Sequence, residues 1–355
     1  MTGLLFNLAF LHAQPTGLAT YALNILPYLQ PLQPQVLAPF GVGEGIDLIP
    51  TPQNMSGREG LGGHIRRLWW TQWHLPAIYR QVGSSLLFSP IPEAPLYQGC
   101  RYILTVHDLI PLRFRRWSSR LSNYFQFVVP LLLHNASHIL CNSHSTAQEV
   151  QDFFHIKPDR LSVIPLAFDH DRFRFLNLPT ANYFLYIGRH DRHKNLGRLI
   201  QAFAKVPKDY ELWIGGSYDG RYTPALVQIV RELSLTDRVK FLGYIDQQNL
   251  CPLFNRAIAL VLTSLWEGFG LPVLEALACG TPVITSNLSA LPEIAGDAAL
   301  FVDPYNVDAI ADAMVQITRS ESLRLHLRSL GLTRCQAFTW AKTGEETRKI
   351  LSLYI

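Results

Sequence analysis

Ser264-Leu-Trp-Glu267-Gly-Phe-Gly-Leu-Pro-Val-Leu-Glu275-Ala-Leu-Ala-Cys-Gly280-Thr-Pro-Val-Ile284 is the stretch that decides how this chain is read. An apolar run, Ala257 to Leu262, comes before it and has the character of a buried strand. After the strand come a carboxylate, a glycine-rich turn, a proline suited to a first helical position and a second carboxylate one turn into an apolar helix. Seven residues separate Glu267 from Glu275, and Gly268, Gly270 and Pro272 lie among them. A strand, a glycine turn and a helix N-terminus form an anion cradle, because the first-turn N–H groups are unpaired and point outward. Carboxylates at such a place would repel a phosphate, so they suit hydroxyl groups as hydrogen-bond acceptors. A ligand with both a diphosphate and several hydroxyls satisfies every group here. A sugar nucleotide is such a ligand.

The pattern Glu267-Gly-Phe-Gly-Leu-Pro-x-x-Glu275-Ala-x-Ala-x-Gly280-x-Pro-Val resembles the E-x7-E signature of the retaining GT-B glycosyltransferases of family 4. The resemblance implies that Glu267 lies by the donor sugar's hydroxyls and Glu275 by the ribose diol. It implies too that Gly268, Phe269, Gly270 and Leu271 line the donor. The alternative is an ordinary strand–turn–helix unit with Glu275 on a solvated face. The surrounding Gly, Pro and Ala-x-Gly-x-Pro context speaks against that.

Composition sets the outer limits. A chain of 355 residues fits two domains, and with 48% apolar and 16% charged residues it can bury large parallel sheets. A net charge of +4 gives no case for nucleic acid. Two basic-aromatic stretches stand out: Arg66, Arg67, Trp69, Trp70 and Trp73, and then Arg113, Phe114, Arg115, Arg116, Trp117 and Arg120. Such segments can lie on an anionic membrane surface, or their aromatics can pack inward. Cys100, Cys141, Cys251, Cys279 and Cys335 follow no regular spacing and read as free thiols in a reducing compartment. No apolar run is long enough to span a membrane, and the N-terminus reads as a first strand, not a signal peptide. The expectation is a cytoplasmic protein, soluble or peripheral on the inner face of a membrane.

Strand-like runs alternate with amphipathic stretches throughout, as in doubly wound α/β sheets. The first half offers Leu4–Phe10, Val36–Pro39, Ser85–Phe88, Tyr102–Val106, His138–Cys141 and Leu161–Ile164. A polar, proline-bearing stretch from Asp169 to Asn182 reads as a linker. The pattern then restarts with Tyr183–Ile187, Glu211–Gly215, Val239–Phe241, Ala259–Leu262, Pro282–Thr285 and Leu300–Val302. Two Rossmann-like domains follow from this, over residues 1–170 and 171–339. The resemblance adds a GT-B architecture with a central cleft, an acceptor-binding first domain and a donor-binding second. It also implies that the last helix, about 340–355, crosses back onto the first domain. Residues 41–63 are rich in Gly and Pro and read as a long mobile loop.

Gly188-Arg189-His-Asp-Arg-His-Lys194-Asn195 places two cations after a strand and before a helix. Arg grips phosphate oxygens in bidentate fashion and Lys acts as a point charge. The family's G-R-x-x-x-x-K-N motif implies that role for Arg189 and Lys194 at the donor diphosphate. Lys194→Ala is accordingly expected to lower turnover severely while the fold survives. His107-Asp108 follows the strand Tyr102–Val106, where open α/β sheets place ligands, and family members carry a histidine here facing the donor sugar. Thr16-Gly17 stands where the family has two glycines, so close backbone approach is expected only at Gly17. Tyr244, after Leu242-Gly243, matches the position that touches the base. Cys141-Asn142-Ser143-x-Ser145 also fits a family position, and it reads equally well as a helix cap.

Asp169-His-Asp171 after a strand has the look of the metal-binding D-x-D of GT-A glycosyltransferases, but it falls at the linker. The implied function is metal-independent transfer of a hexose from a nucleotide diphosphate sugar, of GDP-mannose or UDP-glucose type, to a glycan or lipid-linked hydroxyl acceptor. Retention would come from same-face displacement, with no cofactor beyond the sugar nucleotide. An inactive GT-B partner subunit, a metal-dependent GT-A-like transferase and a nucleotide-sugar epimerase are the alternatives.

Overall fold

A computed structural model describes residues 3–12, 17–55, 60–97, 99–115 and 119–355. Two compact units appear: residues 1–166 with 340–355, and residues 167–339. Each is built on one all-parallel sheet.

The first sheet has β1 (Leu4–Asn7), β2 (Gln35–Ala38), β3 (Asp47–Pro50), β4 (Leu86–Ser89), β5 (Tyr102–Val106), β6 (His138–Cys141) and β7 (Leu161–Val163), in the order β3-β2-β1-β4-β5-β6-β7. The second has β8 (Tyr183–Ile187), β9 (Glu211–Gly215), β10 (Val239–Gly243), β11 (Ala259–Leu262), β12 (Val283–Ser286) and β13 (Ala299–Val302), in the order β10-β9-β8-β11-β12-β13. Central strands such as β1, β5 and β11 are buried along their whole length, as expected where helices cover both faces. That is why they read as continuous apolar runs and not as alternating ones. Two Rossmann-like sheets of seven and six strands make the doubly wound architecture expected of GT-B, and the GT-A-like alternative falls with that.

Each sheet reverses its winding once, between β1 and β4 in the first unit and between β8 and β11 in the second. Doubly wound sheets open a crevice at that switch, beyond the carboxyl ends of the strands. The switch therefore picks out the segments after β8 and β11, where the two sequence motifs lie. It also picks out those after β1 and β4.

The loop expected over 41–63 is corrected in part. It contains β3, which pairs with β2 at the sheet edge, and the helix Gly60–Trp73 begins inside it. Both ends of β3 are exposed and its centre is half-buried, so no apolar run announces it. The last helix, Trp340–Ser352, packs along the first one, Gly17–Leu29: a Cβ on Gly344 would sit 2.5 Å from Tyr28. Thr343 donates to the Pro165 carbonyl at 2.8 Å and Tyr354 Oη lies 3.0 Å from His138 Nδ1.

Candidate functional site

In the second unit the site grows from the end of β8. Tyr186 Oη donates to the Arg189 carbonyl at 2.7 Å and fixes the turn that leaves the strand. Gly216 closes the neighbouring turn after β9. A Cβ there would fall 2.0 Å from the Gly188 carbonyl oxygen, so only glycine lets the two turns pass. The chain then makes one 3-10 turn, Arg192–Lys194, and ends it on Asn195 in the left-handed region at φ 62°. The Asn195 amide donates to the carbonyls of Thr263, at 3.0 Å, and Pro304, at 2.7 Å. Leu265 N–H donates to the His193 carbonyl at 2.7 Å. These bonds stitch the segment after β8 to the segment after β11. Lys194 is thereby brought against Glu267.

Lys194 Nζ donates to both carboxylate oxygens of Glu267, at 2.7 and 2.8 Å. Ser264 Oγ donates to the first of these oxygens at 2.6 Å, and the Glu267 N–H donates to Ser289 Oγ at 3.0 Å. The motif thus forms a charge-assisted cluster, not a free glutamate opposite a free lysine. Glu267 is 8% exposed, and a buried carboxylate needs such partners. Burial, with the Lys194 charge adding to it, lowers the His193 imidazole to about 4, so that ring is neutral beside the pair. Arg189 behaves differently. Its side chain is 73% exposed and lies 2.9 Å from Asp191.

Gly270 caps the helix Leu271–Ala278 at φ 108°, with Pro272 in its first turn. A side chain there would be strained by the backbone, and its Cβ would meet Leu291 at 2.7 Å. Phe269 is buried and packs edge-on against Phe338, 6.1 Å between centroids, so only its backbone is available to a ligand. Glu275 is half-buried on this helix, and loss of water pushes its carboxyl up to about 7 against the pull of Arg172. Tyr244, just past β10, is 72% exposed.

In the first unit His107 follows β5. Its Nε2 lies 2.9 Å from the Pro90 carbonyl, which can only accept, so Nε2 carries the proton. Burial lowers the imidazole to about 4 despite that bond. At neutral pH the ring is therefore uncharged, with Nδ1 left as an acceptor. Tyr21 meets it edge-on at 4.9 Å. Gly17 opens the first helix and is exposed, while Thr16 lies outside the described residues. Asp169 is committed to a turn: its Oδ1 accepts from the N–H groups of Asp171 and Arg172, and Arg172 pairs with it at 3.3 Å. No group of three or more potential metal ligands occurs among the described residues.

Ser264 and Ser289 were not among the residues singled out from sequence. Ser264 had a signal, since a hydroxyl three residues before Glu267 in a tight turn is placed to reach it. Ser289 had none. It sits in a loop after β12 in a left-handed conformation, φ 57°, and meets Glu267 only through the fold.

The family model for glycosyl transferases group 1 matches residues 168–331, and that for glycosyltransferase family 4 matches residues 15–172. The O-antigen chain mannosyltransferase B of Escherichia coli is 33% identical over 230 residues, which span 61% of this chain and 60% of that protein. The O-antigen chain mannosyltransferase RfbU of Salmonella typhimurium is 28% identical over 313 residues, 85% of this chain and 87% of that one. Among solved structures, sucrose-phosphate synthase from Thermosynechococcus elongatus superposes with a TM-score of 0.80 over 99% of both chains at 21% identity.

Proposed function

The chain belongs to the family 4-like GT-B glycosyltransferases, and from that premise we propose that it moves a hexose from a nucleotide diphosphate sugar to a hydroxyl acceptor, retaining the anomeric configuration without a metal in the step. GDP-mannose is the first donor to test, because two of the relatives, both named above, are O-antigen mannosyltransferases. UDP-glucose is the second. The observation that carries the reading is the joining of Lys194 to Glu267 at the switch between β8 and β11.

Two of the three Lys194 N–H groups go to Glu267, which leaves one for a phosphate oxygen. The N-terminal end of the helix Leu271–Ala278 adds its partial positive charge, and Arg189, exposed and paired with Asp191, would exchange that partner for a phosphate oxygen. In the step, the bond from the anomeric carbon to the diphosphate breaks and its electron pair stays on the leaving oxygen. The acceptor hydroxyl bonds to that carbon on the same face, and its proton passes to the departing phosphate. Glycoside and nucleoside diphosphate are the products. Lys194 holds Glu267 through both carboxylate oxygens and Ser264 bonds one of them, which supports a positioning role for Glu267, not a nucleophilic one. Glu275, on the following helix, fits the ribose hydroxyls.

The acceptor side is proposed to work at a membrane surface. Ile65, Trp69 and Trp73 stand one turn apart on the helix Gly60–Trp73 and are 54%, 57% and 60% exposed. Between residues 60 and 148 the sequence has eight arginines against Glu93 and Asp108. An apolar stripe within a basic region complements anionic lipid headgroups.

The deciding experiment is a panel of GDP-, UDP- and ADP-sugars, with and without EDTA, followed by NMR of the product's anomeric centre. Consumption of one donor in EDTA, with the configuration retained, is expected. Inversion, or loss of activity in EDTA, would overturn the mechanism. No consumption of any donor would favour an inactive partner subunit.

A further inference from the structure

Asn142 follows β6 directly, as His107 follows β5. The strands pair Val106 with Cys141, so the two residues leave the sheet side by side at its carboxyl edge. Past the strand ends the two segments stay together, since Thr146, on the helix that follows Asn142, bonds the His107 carbonyl. Sequence allowed Asn142 to be a helix cap, but the structure gives that task to Ser143. Its Oγ accepts from Thr146 N–H at 3.0 Å, while Thr146 Oγ1 donates to the His107 carbonyl at 3.4 Å. The cap is thus not made by Asn142. That residue is 3% exposed, and its Oδ1 is buried with no hydrogen-bond partner among the described residues.

Buried amides are nearly always satisfied, and one left unmet needs a reason. This one stands beside a neutral imidazole whose Nε2 is anchored to Pro90 and whose Nδ1 is an unprotonated acceptor. Two uncharged acceptors at the end of neighbouring parallel strands suit a neutral ligand rich in O–H donors. Neither brings a positive charge for an anion to pair with.

We propose that Asn142 is a sugar-hydroxyl-binding residue, forming with His107 an acceptor pair that holds one pyranose at the carboxyl edge of the first sheet. This rests on the glycosyl-transfer reading and goes beyond it by giving Asn142 a binding role. The pyranose could belong to the donor or to the acceptor, and the chemistry is the same for both.

The test uses the full chain and whichever nucleotide sugar the wild type consumes, assayed for hydrolysis without acceptor and for transfer to methyl α-mannoside. Asn142→Ala should lower kcat/KM about tenfold, the weight of one well-placed hydrogen bond, while the melting temperature holds or rises. Loss in both assays assigns the hydroxyl to the donor sugar, and loss in transfer alone assigns it to the acceptor. A set of mono-deoxy sugars adds a second readout. Removing the contacted hydroxyl should penalise the wild type but not the variant. Wild-type kinetics in both assays would overturn the proposal, as would an activity loss that only tracks a fall in melting temperature. Failure of the wild type to consume any nucleotide sugar is a separate outcome, and it removes the parent reading along with this one.

Discussion

Lys194 and Glu267 change what a single substitution can report. Lys194→Ala reports on more than a lost ligand contact, because the variant leaves a buried carboxylate without its cation. Breaking such a pair from one side costs about 3–5 kcal/mol, so Lys194→Ala should unfold at lower temperature as well as turn over slowly. Adding Glu267→Gln should recover much of the melting temperature but none of the activity. A double variant no more stable than Lys194→Ala would refute the pairing. Glu275 gives a second residue-level prediction, with a definite sign. Its folded carboxyl titrates at about 7, above the ordinary value of 4.5, so the folded state holds a proton that the unfolded state has released. Its contribution to stability is therefore complete below pH 4.5 and is lost as pH rises through 7. Glu275→Gln should raise the melting temperature at pH 8, leave it nearly unchanged at pH 4, and weaken nucleotide binding. An equal shift at both pH values would show that the carboxyl is not held protonated.

Elements were legible in proportion to how far burial dictated their composition. The twelve strands with apolar or pleated patterns announced themselves, but the predicted Leu4–Phe10 is trimmed to Leu4–Asn7 because the chain turns after Asn7. The edge strand Asp47–Pro50 stayed hidden, since an exposed edge places little demand on residue type. In the site, Glu267, Lys194 and the Gly270 turn could be read because spacing and glycine content fix local geometry. That Lys194 faces Glu267 could not, because it depends on Asn195 reaching Thr263 and Pro304 from other segments. The helix Gly60–Trp73 lies between these cases. Its tryptophans were visible, but only the fold separates the buried Trp70 from the exposed Trp69 and Trp73. That separation yields a prediction. Trp69→Ser with Trp73→Ser should strongly reduce sedimentation with phosphatidylglycerol vesicles and leave the melting temperature within about 1–2 °C, as expected for exposed positions. Equal binding to phosphatidylcholine vesicles, or no loss in the double variant, would refute a membrane role for this face.

At the scale of the whole molecule, chain order and core membership part company. Residues 340–355 follow the second unit in sequence yet belong to the first, where Gly344 admits Tyr28, Thr343 bonds Pro165 and Tyr354 meets His138. The site residues from Gly188 to Glu275 all belong to the second unit. Two cores with separate duties should respond to separate perturbations. A nucleoside diphosphate at a hundred times its Kd adds about 2.7 kcal/mol to whatever binds it. For a unit of roughly 150–250 residues that is a shift of about 5–10 °C. Calorimetry should therefore show a transition that GDP or UDP raises by this amount and a second that it leaves in place. Ending the chain at Thr339 should do the reverse, lowering the second transition by stripping the cover from the helix Gly17–Leu29 and leaving the nucleotide-dependent one where it was. A truncated chain that lost nucleotide stabilisation would show that the donor site depends on the first core, against the self-contained cluster around Lys194 and Glu267.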